Sequence, residues 1–389
     1  MRRDRRARIE RRADRRAVGL TAGMLLLAAC TGGGHPAPEP SPTAPALTPK
    51  GSLLVDVGRE FPSLALLPLG TLGAPQPVDL TGSLLGRFDF PGGAQLLADG
   101  TAYLLVTKVD GSLGFRTREL GSQIFELSRG HEPRKVGPPL GPVSPSLVGV
   151  AGGRVVIATC GGRHLPPQVM TLDHGTGDAD GTWQPVVRAC LAALSPDGTD
   201  VAFVRPGERG PSIWRVPLDR STPPVMLAGP DVLAPLQRSG VGRPDVFSLA
   251  WGEGGVAAAV ADRREDVDRS GLVVLPDGGR PRVVSLGSGR LVEMAWQPGG
   301  DLLALTECSR CAAFFRRVPQ GELLMFDASS GRLREVAASR DTFRGLAWSP
   351  DGSLLATEPS QGDLTFLDVT GREVGSLATD GAPLDWGAG

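Results

Sequence analysis

The fold is decided by the stretch LAWSPDGSLLA, residues 346–356. Two short apolar segments flank a central turn. Pro350 fixes φ at about −65° early in this turn, and Gly352 supplies a position at which φ can be positive. The stretch therefore predicts two antiparallel β-strands joined by a tight turn.

The same pattern recurs along the chain. Four further copies, the first of them weaker, lie at 88–93, 193–199, 250–255 and 295–301. The tryptophans of three copies, Trp251, Trp296 and Trp348, are 45 and 52 residues apart. A period of about 40–50 residues, with several short strands in each unit, is typical of a β-propeller.

From residue 52 the chain divides into seven segments of four short strands, labelled a to d from the centre of the propeller outward. Strand a precedes the tight turn and strand b follows it. The last strand, 382–386, repeats strand a with no strand b after it, so we expect it to pair with the first strand, 53–58. This pairing would close the ring and remove its open sheet edges. The sequence thus predicts an all-β, seven-bladed propeller, with six or eight blades as alternatives.

Composition supports this fold class and limits the possible partners. The 389 residues include 54 Gly and 35 Pro, as many turns require, and show almost no helical periodicity. The net charge of −1 conceals an asymmetry, because residues 1–29 hold nine Arg and three acidic residues. The remainder carries a net charge of −7, which gives no support for nucleic-acid binding.

The N-terminal region predicts export and lipid anchoring. An Arg-rich segment precedes the apolar segment 17–29, which is too short to span a bilayer but fits a signal peptide. The Leu-Ala-Ala before Cys30 resembles the bacterial lipobox, in which the cysteine thiol is lipidated. An ordinary signal peptide with an incidental cysteine is the alternative.

The predicted organisation has three parts. We expect a lipoprotein signal peptide at 1–29, a Gly/Pro-rich tether at 30–51 that begins with lipidated Cys30, and a propeller at 52–389. Two or more acyl chains on one residue anchor a protein stably. The predicted location is therefore the outer face of the cell membrane.

The Ser-Pro-Asp-Gly turns at 195–198 and 349–352, each followed by an apolar strand, resemble the TolB-like (WD-related) propeller repeat. The turns carry this resemblance in the C-terminal half, and spacing alone carries it in the N-terminal half. The resemblance implies a binding module of the kind common among exported bacterial proteins. TolB itself has an extra N-terminal domain for which this chain has no room, so the partners of TolB are not transferred.

Apart from Cys30, the chain has four cysteines. In an exported protein they would meet an oxidising environment, in which disulfides form. Cys160 ends strand b of segment three and Cys190 opens the next strand a, which places them within reach of a disulfide if the register allows. Cys308 and Cys311 are predicted to form a local disulfide. The alternatives are a redox dithiol at 308–311, a zinc site of Cys160, His164, His174 and Cys190, and a calcium site at 173–181. No metal or cofactor is expected.

Loop lengths distinguish the two ends of the predicted propeller. The a–b turns are tight, whereas the b–c loops at the opposite end are long and irregular, as binding loops usually are. Arginines and aromatic residues, which are enriched at interfaces, occur in these long loops. The predicted partner-binding residues are Phe314, Phe315, Arg316, Arg317, Arg116, Arg118, Arg263 and Arg264. The alternative is that both phenylalanines pack into the propeller mouth and the arginines only aid solubility.

No catalytic constellation is visible in the sequence, which has no Gly-x-Ser-x-Gly elbow, His-Glu-x-x-His helix or phosphate-binding loop. We expect a monomeric, membrane-anchored binding module rather than an enzyme. Its partner is an unknown protein or an anionic envelope polymer. A hydrolase or lyase with its site in the central funnel is the alternative, which acidic residues and histidines from three or more blades on the funnel wall would favour.

Overall fold

The repeats form the predicted propeller. In the computed structural model, the strands of the described residues form seven four-stranded antiparallel sheets, arranged as the blades of a β-propeller. The structure describes residues 49–387 except 57–63, 71–77, 80–89, 111–117, 142, 144, 162–165, 175–180, 264–268, 287–288, 310–319, 340–341, 360–362 and 379–380. No helix within these ranges has the length and apolarity needed to cross a membrane. Seven blades confirm the predicted fold class, and the domain boundaries at 29 and 51 stay predictions.

The first four blades precede a short helical connection. The strands of each blade are named from the innermost to the outermost. Blade 1 contains β28 (Ala382–Gly387), β1 (Gly51–Asp56), β2 (Leu64–Leu69) and β3 (Val78–Asp79). Blade 2 contains β4 (Phe90–Leu96), β5 (Ala102–Asp110), β6 (Arg118–Leu127) and β7 (Arg134–Leu140). Blade 3 contains β8 (Pro145–Ala151), β9 (Arg154–Thr159), β10 (Gln168–Asp173) and β11 (Gln184–Val187). Blade 4 contains β12 (Ala192–Leu194), β13 (Asp200–Arg205), β14 (Ser212–Pro217) and β15 (Val225–Ala228).

The last three blades follow that connection. A 3-10 helix, Pro230–Leu233, and the α-helix α1, Ala234–Arg238, join blade 4 to blade 5. Blade 5 contains β16 (Pro244–Gly252), β17 (Gly255–Asp262), β18 (Ser270–Leu275) and β19 (Arg282–Ser285). Blade 6 contains β20 (Gly289–Trp296), β21 (Leu302–Ser309), β22 (Gln320–Asp327) and β23 (Arg332–Ser339). Blade 7 contains β24 (Phe343–Trp348), β25 (Leu354–Pro359), β26 (Leu364–Asp368) and β27 (Glu373–Leu377).

The hydrophobic core lies between blades. Among the described residues, seven apolar clusters form, each shared by two neighbouring blades. Alternate residues of one strand enter different clusters: Leu53 and Val55 of β1 face blade 7, whereas Leu54 faces blade 2. Both faces of a blade are therefore covered, and each blade depends on its two neighbours for burial of apolar surface.

The repeated tryptophans pack between blades. The indole Nε1 of Trp348 donates to the carbonyl of Ala295 in the preceding blade at 3.0 Å, and Trp296 reaches Ala250 in the same way at 3.4 Å. Trp386 lies in the cluster shared by blades 7 and 1, with 4% of its surface exposed. These residues contribute apolar area and also satisfy backbone carbonyls near the centre of the ring.

The ring is closed by its two ends, which confirms the predicted pairing. β28 pairs antiparallel with β1, with Leu53 opposite Trp386 and Leu54 opposite Asp385. The Trp386 indole donates to the Lys50 carbonyl at 2.7 Å. Blade 1 is thus built from both ends of the propeller domain.

The Ser-Pro-Asp-Gly turns are held by side-chain hydrogen bonds. The Ser349 hydroxyl donates to Asp351 Oδ1 at 2.6 Å and accepts the N–H of Leu354 at 2.9 Å. Gly352 adopts a φ of +68°, as the turn requires. The hydroxyl of Ser349, acting first among several donors, lowers the pKa of Asp351. These contacts explain why the serine and aspartate accompany the Pro-x-Gly turn.

In the weak copy of the pattern at 88–93, the described residues 90–93 lie in a strand and do not form a turn, so that prediction is wrong. Pro91 lies inside β4, next to a bulge between Pro91 and Ala94, where its missing N–H is tolerated. The turn lies further along, at 97–101, where Asp99 Oδ1 accepts the N–H of Thr101 at 2.9 Å and Gly100 has a φ of +82°.

Candidate binding surface

The order of strands in each blade defines two ends of the propeller. The a–b and c–d turns lie at one end, which we call the tight-turn end, and the b–c loops and d–a connections lie at the other, which we call the long-loop end. The chain enters β1 from Lys50 at the tight-turn end, because β1 is the second strand of its blade and runs toward its b–c loop.

Most of the predicted partner-binding residues fall outside the described part of the chain. Arg118 begins β6, so it lies at the start of a strand and not in a b–c loop as predicted. Arg263 is described, with 77% of its side chain exposed and its Nε 4.0 Å from Asp245 Oδ2. The predicted residues that lie outside the described part of the chain are Phe314, Phe315, Arg316, Arg317, Arg116 and Arg264. For these residues a role in binding stays a prediction.

Three arginines lie next to the ends of neighbouring strands at the long-loop end of blade 5. Arg243 directly precedes β16, Arg263 directly follows β17 and Arg269 directly precedes β18. The Arg263 N–H donates to the Arg243 carbonyl at 2.8 Å, and the Asp262 N–H donates to the Arg269 carbonyl at 3.0 Å. Arg263 therefore lies opposite Arg243, whereas Arg269 lies opposite Asp262. We call the three arginines the arginine row. Sequence reasoning identified only Arg263.

The backbone under the arginine row is well supported. The Asp262 carboxylate accepts the N–H of Gly242 at 2.6 Å, which ties the d–a connection to the end of β17. Leu236 of α1 and Val241 are both buried in the cluster shared by blades 4 and 5. The connection between blades 4 and 5 is therefore packed onto the propeller. This packing holds Arg243 in place at the start of β16.

Four more arginines lie at the same end of blades 4 to 6: Arg205, Arg209, Arg238 and Arg290. The Arg205 guanidinium lies 4.5 Å from the ring centroid of Trp214, and that of Arg290 lies 5.8 Å from the centroid of Phe247. Such stacking orients a guanidinium without neutralising its charge. Of these seven arginines, only Arg263 has a carboxylate within 4.0 Å in the described part of the chain.

Acidic residues are also present at this end. Glu208, Asp231 and Asp245 are exposed in the same three blades. The segment 264–268, between Arg263 and Arg269, contains Arg264 and three acidic residues and lies outside the description.

At the tight-turn end, several arginines are paired with carboxylates. Arg134 contacts Glu126 at 2.6 Å, Arg154 contacts Asp173 at 2.7 Å and Arg372 contacts Asp368 at 3.1 Å. A groove of about 700 Å³ between blades 3 and 4 is lined by Arg154 together with Asp173, Asp197, Asp200 and Asp219. This end therefore mixes charges of both signs.

A further polar cluster joins blades 2 and 3 at the tight-turn end. The Glu126 carboxylate, besides its contact with Arg134, accepts the Tyr103 hydroxyl at 3.2 Å and lies 2.7 Å from His174 Nε2. Burial, followed by the charge of Glu126, raises the pKa of Tyr103 to about 12. The side chains of this cluster satisfy one another's hydrogen-bonding groups, so we interpret the cluster as a link between blades.

Carboxylates on the funnel wall also link blades. Asp385 Oδ2 on β28 accepts the N–H of Leu96 in blade 2 at 2.8 Å. Glu293 on β20 accepts the N–H of Gly345 in blade 7, and burial raises the pKa of Glu293. The described histidines, His131 and His174, lie outside the funnel, on turns at the outer part of the tight-turn end. Within the described residues, no three His, Cys, Asp or Glu side chains converge in a way that could hold a metal ion.

One acidic residue is buried at the long-loop end of blade 6. Glu307 on β21 is 7% exposed and lies opposite Glu322 on β22. Its carboxyl packs against Gly289, where a Cβ atom would come within 2.1 Å of the Glu307 Cδ. Burial, followed by repulsion from Glu322, raises the pKa of Glu307 from its ordinary 4.5 to about 7.

The described cysteines are oxidised and lie at the long-loop end. Cys160 and Cys190 form a disulfide that links the b–c loop of blade 3 to the connection into blade 4. Their sulfurs are bonded to each other and so are not free to bind zinc. Cys308, near the end of β21, is also in a disulfide, and Cys311, its predicted partner, lies outside the description.

Together these observations define a seven-bladed propeller with an arginine-rich long-loop end. This fold is consistent with the TolB-like repeat that the Ser-Pro-Asp-Gly turns resemble. No protein-family model matches the chain, and no curated protein matches it.

Solved structures share the fold at low sequence identity. An uncharacterised protein of Listeria monocytogenes EGD-e is 8% identical over 85% of this chain and 91% of its own, with a TM-score of 0.52. Kuenenia stuttgartiensis hydrazine synthase is 12% identical over 72% of this chain and 76% of its own, with a TM-score of 0.50. A putative TolB from Agrobacterium tumefaciens is 16% identical over 66% of this chain and 84% of its own, with a TM-score of 0.41. At these identities the likeness concerns the fold alone.

Proposed function

We propose that this chain is an exported, lipid-anchored propeller that binds a partner at its long-loop end. The observation that carries the proposal is the group of seven arginines at the long-loop end of blades 4 to 6, of which only Arg263 has a carboxylate within 4.0 Å among the described residues. At the same end of blade 7, Arg344 is paired with Glu358 at 3.3 Å. Unpaired, oriented guanidinium groups are suited to bind an external anionic group.

The positions of the cysteines support the same proposal. Disulfides form in exported proteins, which agrees with the signal peptide expected at 1–29. Cys160 and Cys308 lie where b–c loops leave their blades, so their disulfides restrict loops at the long-loop end. Restricting a loop before binding lowers the entropy lost on association. The partner is a protein or an anionic envelope polymer, and the propeller acts as a monomer without a cofactor.

Anchoring is tested by replacing the cysteine expected to carry the lipid. The variant Cys30→Ser should leave the membrane fraction and appear in the soluble exported fraction, because it lacks the acyl chains. Fractionation with immunodetection measures this, with Cys308→Ser as a control that should stay in the membrane fraction. Equal membrane retention of wild type and Cys30→Ser would contradict lipid anchoring.

Binding is tested by a pull-down from native membranes with the mature lipoprotein. A variant with Phe314, Phe315, Arg316 and Arg317 changed to Ala should lose most of the partner. The matched control changes two exposed apolar residues and two arginines near the tight-turn end: Val225, Met226, Arg215 and Arg280, each to Ala. Recovery of a partner by wild type and control alone supports binding at the long-loop end. Equal recovery by all three, or no partner at all, contradicts it and favours a funnel enzyme.

A further inference from the structure

We propose that Arg205, at the seam between blades 3 and 4, binds a carboxylate of a partner protein. This inference rests on the proposed function, because it assumes that a partner binds at the long-loop end. It deepens that function by naming the partner as a protein and the recognised group as a carboxylate. It also moves the main contact from the loop at 310–319 to the end of β13, where Arg205 is the last residue.

The Arg205 guanidinium is held by two aromatic rings. Its central carbon lies 4.5 Å from the ring centroid of Trp214 and 5.3 Å from that of Phe203. The two rings lie opposite each other on neighbouring strands and pack into the cluster shared by blades 3 and 4. The indole Nε1 of Trp214 donates to Ser212 Oγ at 2.8 Å, which fixes the ring. Stacking occupies the flat face of the guanidinium and leaves the N–H groups at its edge available to an acceptor.

The backbone around Arg205 is restrained on both sides. The pairing of β12 with β13 continues by one more hydrogen bond, at 3.2 Å, which brings Cys190 beside Arg205. Cys190 is bonded to Cys160, so a disulfide ties blade 3 to the chain next to Arg205. On the other side, the Ser212 hydroxyl donates to the Arg205 carbonyl at 3.3 Å. A guanidinium oriented before binding loses less entropy on association than a mobile one.

The charge of Arg205 is not compensated within the described part of the chain, where no carboxylate lies within 4.0 Å of its side chain. The neighbouring segment 162–165, outside the description, contains no acidic residue and so cannot supply one. Glu208, in the loop that follows Arg205, is exposed, and Arg209 beside it leaves that loop without net negative charge. Asp231, in the connection to blade 5, is exposed as well. Neither of these two acidic residues forms an ion pair with a described residue.

The surroundings of Arg205 favour a protein over a polymer. Trp214 is partly exposed, and Pro166, Pro167 and Pro206 are exposed in the b–c loops of blades 3 and 4. Arginine and tryptophan are enriched at the centres of protein interfaces, where apolar contacts around a charged group exclude water. A carboxylate matches the guanidinium through two parallel hydrogen bonds, which a lysine cannot form.

The test selects random dodecapeptides displayed on phage against the mature lipoprotein in detergent, after depletion on the variant Arg205→Gln. We expect the enriched peptides to share an Asp or Glu. Changing that residue to Asn or Gln should weaken binding to wild type by at least about 10-fold, because a hydrogen-bonded charge pair is lost. Binding to Arg205→Gln should be equally weak with both forms of the peptide, and Arg205→Lys should also lose most of the affinity. Isothermal titration calorimetry with the synthetic peptides measures these changes.

The matched control is Arg215→Gln, which removes an exposed arginine from the opposite face of β14. Its affinity for the enriched peptides should change less than twofold, and equal weakening would overturn the proposal by indicating attraction through net charge. Thermal unfolding of each variant separates lost binding from lost folding. Arg205→Lys keeps a cation over the two rings, so it tests the site even if Arg205→Gln does not fold.

Other results would also overturn the proposal. No enrichment after depletion, or enriched peptides that bind without a carboxylate, would exclude carboxylate recognition by Arg205. Binding of linear inorganic polyphosphate that depends on Arg205, in place of peptide binding, would assign the site to a polymer. A partner recovered from membranes that depends on 314–317 but not on Arg205 would overturn this inference and leave the proposed function intact.

Discussion

Replacing Gly345 with Ala is expected to lower the free energy of unfolding by about 4 kcal/mol, a large effect for a single added methyl group. Gly345 lies on β24, at the inner edge of blade 7, with a φ of +68°. A Cβ atom there would lie 2.0 Å from the carbonyl oxygen of Pro383 and 2.9 Å from its nitrogen. These are backbone atoms of β28, so the clash is relieved only if the closing strand shifts.

Gly299→Ala is the matched control for this prediction. Gly299 has a similar φ of +63°, but a Cβ atom there would meet nothing within 4 Å. The control should therefore cost only the backbone strain of about 1 kcal/mol, and the difference between the variants isolates the contact with Pro383. Urea unfolding followed by tryptophan fluorescence measures both. Equal losses would show that β28 moves freely and that closure is not tightly packed.

Replacing Glu307 with Gln is expected to stabilise the protein at pH 8 by about 3 kcal/mol and to have little effect near pH 4. The pKa of Glu307 rises from its ordinary 4.5 to about 7 in the folded state, and each unit is worth about 1.4 kcal/mol. The folded state therefore holds its proton more tightly than the unfolded chain does. Its contribution is complete below pH 4.5 and is lost as the pH rises through 7, whereas neutral glutamine does not titrate.

The control is Glu335→Gln on β23 of the same blade, where the side chain is exposed. Its difference from wild type should be small at both pH values. Chemical denaturation at pH 4, 6 and 8 gives the comparison. A constant difference between Glu307→Gln and wild type across this range would contradict the raised pKa.

The blade architecture can be predicted because its signals are local. Pro350, Gly352 and the hydroxyl of Ser349 act within a few residues of one another, and Trp348 repeats the same inter-blade position as Trp296. The first strand of blade 2 is mispredicted for a local reason as well. The Pro91-Gly92 sequence is typical of a turn. Only the pairing of β4 with β5 shows that these residues lie in a bulged strand.

The arginine row cannot be predicted from the sequence because it depends on which strand ends are neighbours. Arg243 and Arg269 are 26 residues apart in the sequence, and they come together only through β17. The sequence pattern predicts these strands at 246–251, 256–261 and 271–275. Each predicted strand stops one or two residues before the end next to which its arginine lies. Burial of Glu307 is hidden for another reason. Both faces of each blade are covered, so alternation along β21 does not separate buried from exposed positions.

The closing pair of strands has a consequence for how the protein acquires its structure. The Trp386 indole and the Lys50 carbonyl that it contacts are separated by 336 residues. Contacts between positions so distant in sequence form late and slow folding, because a long loop must close first. Until β28 arrives, β1 exposes an unpaired edge that can pair with other chains. If the chain is exported unfolded, this edge is exposed until the last strand has crossed the membrane, which is the period of greatest risk from aggregation and proteolysis.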